Sequence, residues 1–139
     1  RIIASFCGVF GFSIMFNSTI PMAAIAALIG AVANTFRLEL IDFTGMPPAA
    51  AAFIGALSAG LLASEIKKNN GYPRISLTVP SIVIMVPGLY LYRAIYNFGI
   101  MSLTEAVSWF TSAIMIIIML PLGLIFARIL TDRAFRFCT

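Results

Sequence analysis

Hydrophobic residues fill this chain in long blocks, and the polar residues fall between them in short clusters. Five apolar segments result, at about 2–16, 22–36, 49–66, 75–97 and 103–130. A helix needs roughly 20 apolar residues to cross a bilayer. The first two segments are short of that, at about 15 residues each, and their boundaries are the softest. Asn17, Ser18, Thr19 and Pro21 form the first polar cluster, with a proline suited to opening the next helix. A loop is expected over 38–48, with Glu39, Asp42, Gly45 and the pair Pro47-Pro48, and a second one over 65–74, with Lys67, Lys68, Asn69, Asn70, Gly71, Pro73 and Arg74. Pro121 lies in the later half of the fifth segment, which reads as one long tilted helix or a kinked one.

Composition turns these blocks into a membrane protein. The chain is 61% hydrophobic and 10% charged, with a mean hydropathy of +1.05. Globular domains carry about 25% charged residues, so too few polar side chains are present to face water all round. The expected fold class is all-α, a polytopic membrane protein of about five transmembrane helices, forming one transmembrane domain over 1–139 with nothing left for a soluble module. With five spans, Lys67, Lys68, Arg74, Arg128, Arg133 and Arg136 share one side, and Arg1, Arg37 and Arg93 fall on the other. The positive-inside rule then puts the carboxyl terminus in the cytoplasm. Cys7 and Cys138 sit towards opposite ends of the chain and read as two unpaired thiols.

Small residues recur every fourth position in the third segment: Ala51, Gly55, Ala59 and Ala63 on one row, and Ala52, Ala56, Gly60 and Ser64 on the next. Gly30 and Ala31 continue the theme in the second. Such rows let helix backbones approach closely in lipid, within the protein or against a partner, so an oligomeric assembly is expected. The fifth segment carries bulky residues instead, 114–120, and reads as lipid-facing.

Enzyme chemistry finds little support. The chain has no histidine, the usual general base and metal ligand. Its acids, Glu39, Asp42, Glu65, Glu105 and Asp132, are scattered over loops and segment ends, and no phosphate loop or nucleophile elbow is present. No cofactor, metal or nucleic-acid partner is expected.

The fourth segment is different. It reads Pro80-Ser-Ile-Val-Ile-Met-Val-Pro87-Gly88-Leu-Tyr-Leu-Tyr92-Arg93. Pro87 removes a donor and obstructs the preceding turn, so carbonyls near Val83 lose their helical partners. At 1.5 Å per residue the interruption falls close to the bilayer midplane. A half-helix starting at Pro87-Gly88 aims free amides and a positive dipole end at an anion. Pro80 weakens the helix almost two turns earlier. Tyr92 and Tyr96 share a face with Gly88, and Arg93 stands beside it, able to pair with a carboxylate or to snorkel to the headgroups. Asn17, Asn34 and Arg37 are further candidate pathway residues.

The 80–93 stretch resembles the Pro-Gly-x-x-x-Tyr signature of the threonine/serine exporter family, in the half that also occurs as a small separate membrane subunit. Phe16-Asn17, Gly30-Ala31, Phe36-Arg37, Phe53-x-Gly55 and Gly60 extend the similarity over about 11–97. The resemblance implies an exporter half in the bacterial inner membrane, driven by a proton or ion gradient. It implies a larger partner subunit with its own five-span part and a soluble domain, and a small amino or carboxylic acid as substrate. A non-transporting scaffold that stabilises a partner is the alternative reading.

Overall fold

The computed structural model describes residues 1–132; Arg133, Arg136 and Cys138 lie outside the described residues. These residues form six helices: α1 (Ile2–Met15), α2 (Ile20–Thr44), α3 (Pro48–Asn70), α4 (Arg74–Val83), α5 (Gly88–Gly99) and α6 (Leu103–Thr131). Four units are long and apolar enough to cross a membrane, namely α2, α3, α4 with α5 taken together, and α6, while α1 is a shorter apolar helix. The chain is an all-helical polytopic membrane protein of about five helices, as its composition predicts.

The punctuation acts where backbone chemistry demands it, and not at every charge. α2 does not stop at Phe36. It runs through Arg37, Glu39 and Asp42 and ends only where Gly45 takes the left-handed conformation, φ 62°. Charged side chains tolerate a helix, whereas a left-handed glycine followed by Pro47-Pro48 ends one. The same logic lengthens α3 through Lys67 and Lys68 to Asn70. Gly71 closes it at φ 70°, its amide donating to the Lys67 carbonyl at 3.0 Å. The two lysines in that last turn complement the helix dipole. α6 passes Pro121 as a single helix.

α3 is the central element. It packs against α2, α4 and α6, while α1 rests on α2 and α4, and α5 rests on α6. The core is made largely of alanine, with Ala26, Ala27, Ala52, Ala56, Ala59 and Ala63 fully buried. Lipid is as apolar as any core, so helices here gain from close van der Waals approach more than from hiding large side chains. Large hydrophobics accordingly face outward, among them Phe43, Ile75, Leu89 and Ile95. In α6, Ile114, Met115, Ile117 and Ile118 face outward, but Ile116 and Leu120 are buried. This helix is therefore lipid-facing on one side and packed on the other.

The predicted small-residue positions sit at specific seams. A Cβ on Gly60 would lie 2.6 Å from Ala127 Cβ, and one on Gly30 would lie 2.6 Å from Val9 Cγ2. Ala51 and Ala59 are fully buried. Gly123 of α6 is the counterpart that the sequence pattern does not single out. A Cβ there would come within 2.6 Å of the Phe53 carbonyl oxygen, a backbone atom that cannot turn aside.

Candidate functional site: the interrupted helix and Arg37

The interruption between α4 and α5 has a definite anatomy. α4 tightens at its end into 3₁₀-type bonds, Met85 N–H to the Ile82 carbonyl at 2.9 Å and Val86 N–H to the Val83 carbonyl at 3.1 Å. Pro87 then adopts φ −80°, ψ 56°, and Gly88 N–H donates to the Val86 carbonyl at 2.8 Å. These are the dihedrals and hydrogen bond of an inverse γ-turn. α5 restarts with Leu91 N–H on the Pro87 carbonyl at 3.1 Å.

Several backbone groups around the interruption are left over. The amides of Ile84, Leu89 and Tyr90 have no backbone acceptor among the described residues, and the carbonyls of Pro80, Ser81 and Ile84 have no backbone donor. The Met85 carbonyl is taken by a side chain from another helix. Arg37 of α2 donates Nη1–H to it at 3.2 Å. The Val83 carbonyl keeps a donor through the tightened turn, whereas those of Pro80, Ser81, Ile84 and Met85 lose their helical partners.

Arg37 is held there by packing. Its stem passes Gly55 of α3, where an added Cβ would lie 3.1 Å from Arg37 Cβ and 3.3 Å from Met85 Sδ. A glycine row on α3 thus makes the space in which an arginine from α2 meets the interruption of α4. The Arg37 Nε is buried and has no hydrogen-bond partner among the described residues. A cavity of about 370 Å³ adjoins this contact, lined by Arg37, Leu38, Ile41, Pro48 and residues 84–90, with Ile116 closing one side. Arg37 is its one charged lining residue, and no acid lines it. Among the described residues, no group of three or more histidines, cysteines or acids could hold a metal ion. The arrangement can bind and orient an anion: the Arg37 guanidinium lines the same cavity as the amide end of a half-helix.

The other predicted site residues are placed elsewhere. Pro87 is buried and Gly88 exposed, both on the cavity. Pro80 is buried inside α4, next to Ser81, whose hydroxyl donates to the Ala26 carbonyl at 3.0 Å and ties α4 to α2. Tyr92 points away from the cavity, 65% exposed, and stacks on Tyr96 at 6.5 Å between ring centroids. Tyr90 lines the cavity instead and meets Trp109 edge-on at 5.4 Å. Arg93 is exposed and lies 4.7 Å from the Trp109 ring centroid, a cation–π contact that fixes it on α6. Asn17 occupies the α1–α2 turn with φ 59°, exposed and not on the cavity. Asn34 is buried and donates to Ser5 Oγ at 2.8 Å, joining α2 to α1. The structure therefore brings Arg37, Pro87 and Gly88 together, and leaves Asn17, Tyr92 and Arg93 apart from them. The sequence signal for Tyr90 and Met85 is absent, because both read as ordinary apolar or interfacial residues.

No curated protein and no solved structure matches the chain. A family model described as Threonine/Serine exporter, ThrE, matches residues 1–130. That span covers all six helices but the final residue of α6, and it includes both the interruption and Arg37. The chain belongs to the threonine/serine exporter family.

Proposed function

We propose that this chain is one membrane half of a secondary exporter for small amino or carboxylic acids, acting with a larger subunit of the same family in a bacterial inner membrane. The Lys67–Arg74 end faces the cytoplasm. The observation that carries the reading is the placement of Arg37, with an unpaired Nε, against the interrupted backbone of 84–88. Substrate carboxylate sits between the guanidinium and the free amides of Leu89 and Tyr90. The Ile84 carbonyl accepts from the substrate's ammonium or hydroxyl. Arg37 keeps Nη1 on the Met85 carbonyl and meets the carboxylate through its remaining guanidinium N–H groups, so one side chain both fixes the interruption and reads the substrate.

The test is export from cells co-expressing the partner, measured as intracellular threonine, serine and dicarboxylate levels. Charge-assisted hydrogen bonds contribute about 1.5–3 kcal/mol, so Arg37→Gln should lower export by at least about tenfold while the protein still inserts. Arg37→Lys, which keeps charge without the fork, should fall between. Wild-type export from Arg37→Gln would remove the site. Loss of the partner's level in that variant, with export per partner molecule unchanged, would favour the scaffold.

A further inference from the structure

A second charged site lies at the opposite end of the bundle from the free end of α5. α4 and α6 both lie on α3, and between them a cleft of about 160 Å³ is lined by Arg74, Ile75, Thr78, Leu124, Ile125 and Arg128. Its walls are apolar and outward-facing: Ile75 is 74% exposed and Ile125 45%. Its mouth holds two guanidiniums. Arg74 Nη1 lies 3.3 Å and Arg128 Nε 3.8 Å from the same oxygen of Asp132. Arg74 Nη2 also reaches the Gly60 carbonyl at 3.4 Å, so its side chain is held nearly buried, 13% exposed, against α3. Both arginines thus already converge on a single anionic group.

The location selects the ligand. This end of the bundle also carries Lys67 and Lys68, against Glu65 and Asp132 as its acids among the described residues. It is the boundary where apolar helix gives way to basic side chains. A free phosphate has no use for the walls of Ile75 and Ile125. A lipid has: its headgroup meets the arginines and its acyl chain lies along the cleft. We infer that the α4–α6 cleft binds an anionic phospholipid, phosphodiester on Arg74 and Arg128 and acyl chain against Ile75 and Ile125. α4 is only 10 residues long and leads directly into the interruption. A lipid bridging its start to α6 holds it in place and makes the proposed transport site sensitive to membrane composition. The binding site itself stands independently of that reading.

Native mass spectrometry of the full chain, titrated with phosphatidylglycerol, phosphatidylcholine or inorganic phosphate, tests this. Phosphatidylglycerol should bind at least about fivefold more tightly than phosphatidylcholine, as expected for about 1 kcal/mol per basic residue at the surface. Phosphate alone should not bind. Arg128→Gln and Ile125→Trp should each erase most of the preference, the first by charge and the second by filling the cleft. Lys68→Gln should leave it within about twofold. The proposal is overturned by an unchanged preference in either cleft variant, by an equal loss in Lys68→Gln, which signals diffuse surface charge, or by phosphate binding as well as lipid.

Discussion

At the α3–α6 seam, backbone approaches backbone, and the residues that matter are those with nothing to get in the way. At the α4–α5 interruption, backbone parts from its own hydrogen-bond partners, and the residues that matter are those that replace them. Gly60 and Gly123 create the first by the absence of a side chain. Arg37 completes the second by the reach of one. Both depend on α3, whose glycines serve the two regions in turn: Gly60 admits Ala127 of α6, and Gly55 admits the Arg37 stem and Met85. In lipid, where apolar burial between helices contributes little, contact geometry and satisfied polar groups decide which helices pair. The seam uses the first of these and the interruption the second.

The contrast can be broken most severely at the interruption. Replacing Pro87 and Gly88 together by alanine restores a donor at 87 and removes the γ-turn, so a continuous helix should form across 74–99. Export should be abolished while membrane insertion stays intact, read from export assays and from the level of protein in the membrane fraction. Normal export from this double variant would show that the interruption serves no transport role.

The seam should respond in stability instead. Gly123→Ala places a methyl against the Phe53 carbonyl, and overpacking of this kind costs about 1–3 kcal/mol. Thermal unfolding in detergent should show a lowered midpoint, with export per folded molecule near wild type. A drop in specific export with unchanged thermal stability would mean the seam is part of the pathway.

The smallest effects belong to the residues placed outside both regions. Tyr92→Phe should leave export unchanged within about twofold. Arg93→Gln loses an exposed cation–π contact worth about 0.5–1 kcal/mol, with a stability change of that order and little change in export. A large export defect from Arg93→Gln, without a stability change, would move the anion site from Arg37 to Arg93.

Much of this was legible in the residues. The hydrophobic blocks and the scarcity of charge are global properties, and they predict a polytopic helical membrane protein without any knowledge of packing. The Pro87-Gly88 interruption is equally local: a missing amide hydrogen acts on its own turn whatever surrounds it. Helix ends were harder. Arg37, Glu39 and Asp42 look like the start of a loop, yet a helix carries charge readily and stops only at a conformation it cannot continue, which Gly45 provides. Tyr92 and Arg93 look like the functional pair because they follow the interruption within two turns, Arg93 beside the face of Gly88 and Tyr92. Which face turns inward is set by α6, and Tyr90 and Trp109 occupy it.

Local residue chemistry sets the class of molecule, the place where one helix must break and the small-residue rows that allow close packing. Each follows from properties a residue carries with it: hydropathy, a missing donor, a missing Cβ. What meets the break depends on packing. Arg37 and Met85 are 48 positions apart, and nothing in either local sequence selects the other. Their contact exists because α2, α3 and α4 pack together, with Gly55 leaving room for both, so it depends on the register of three helices at once.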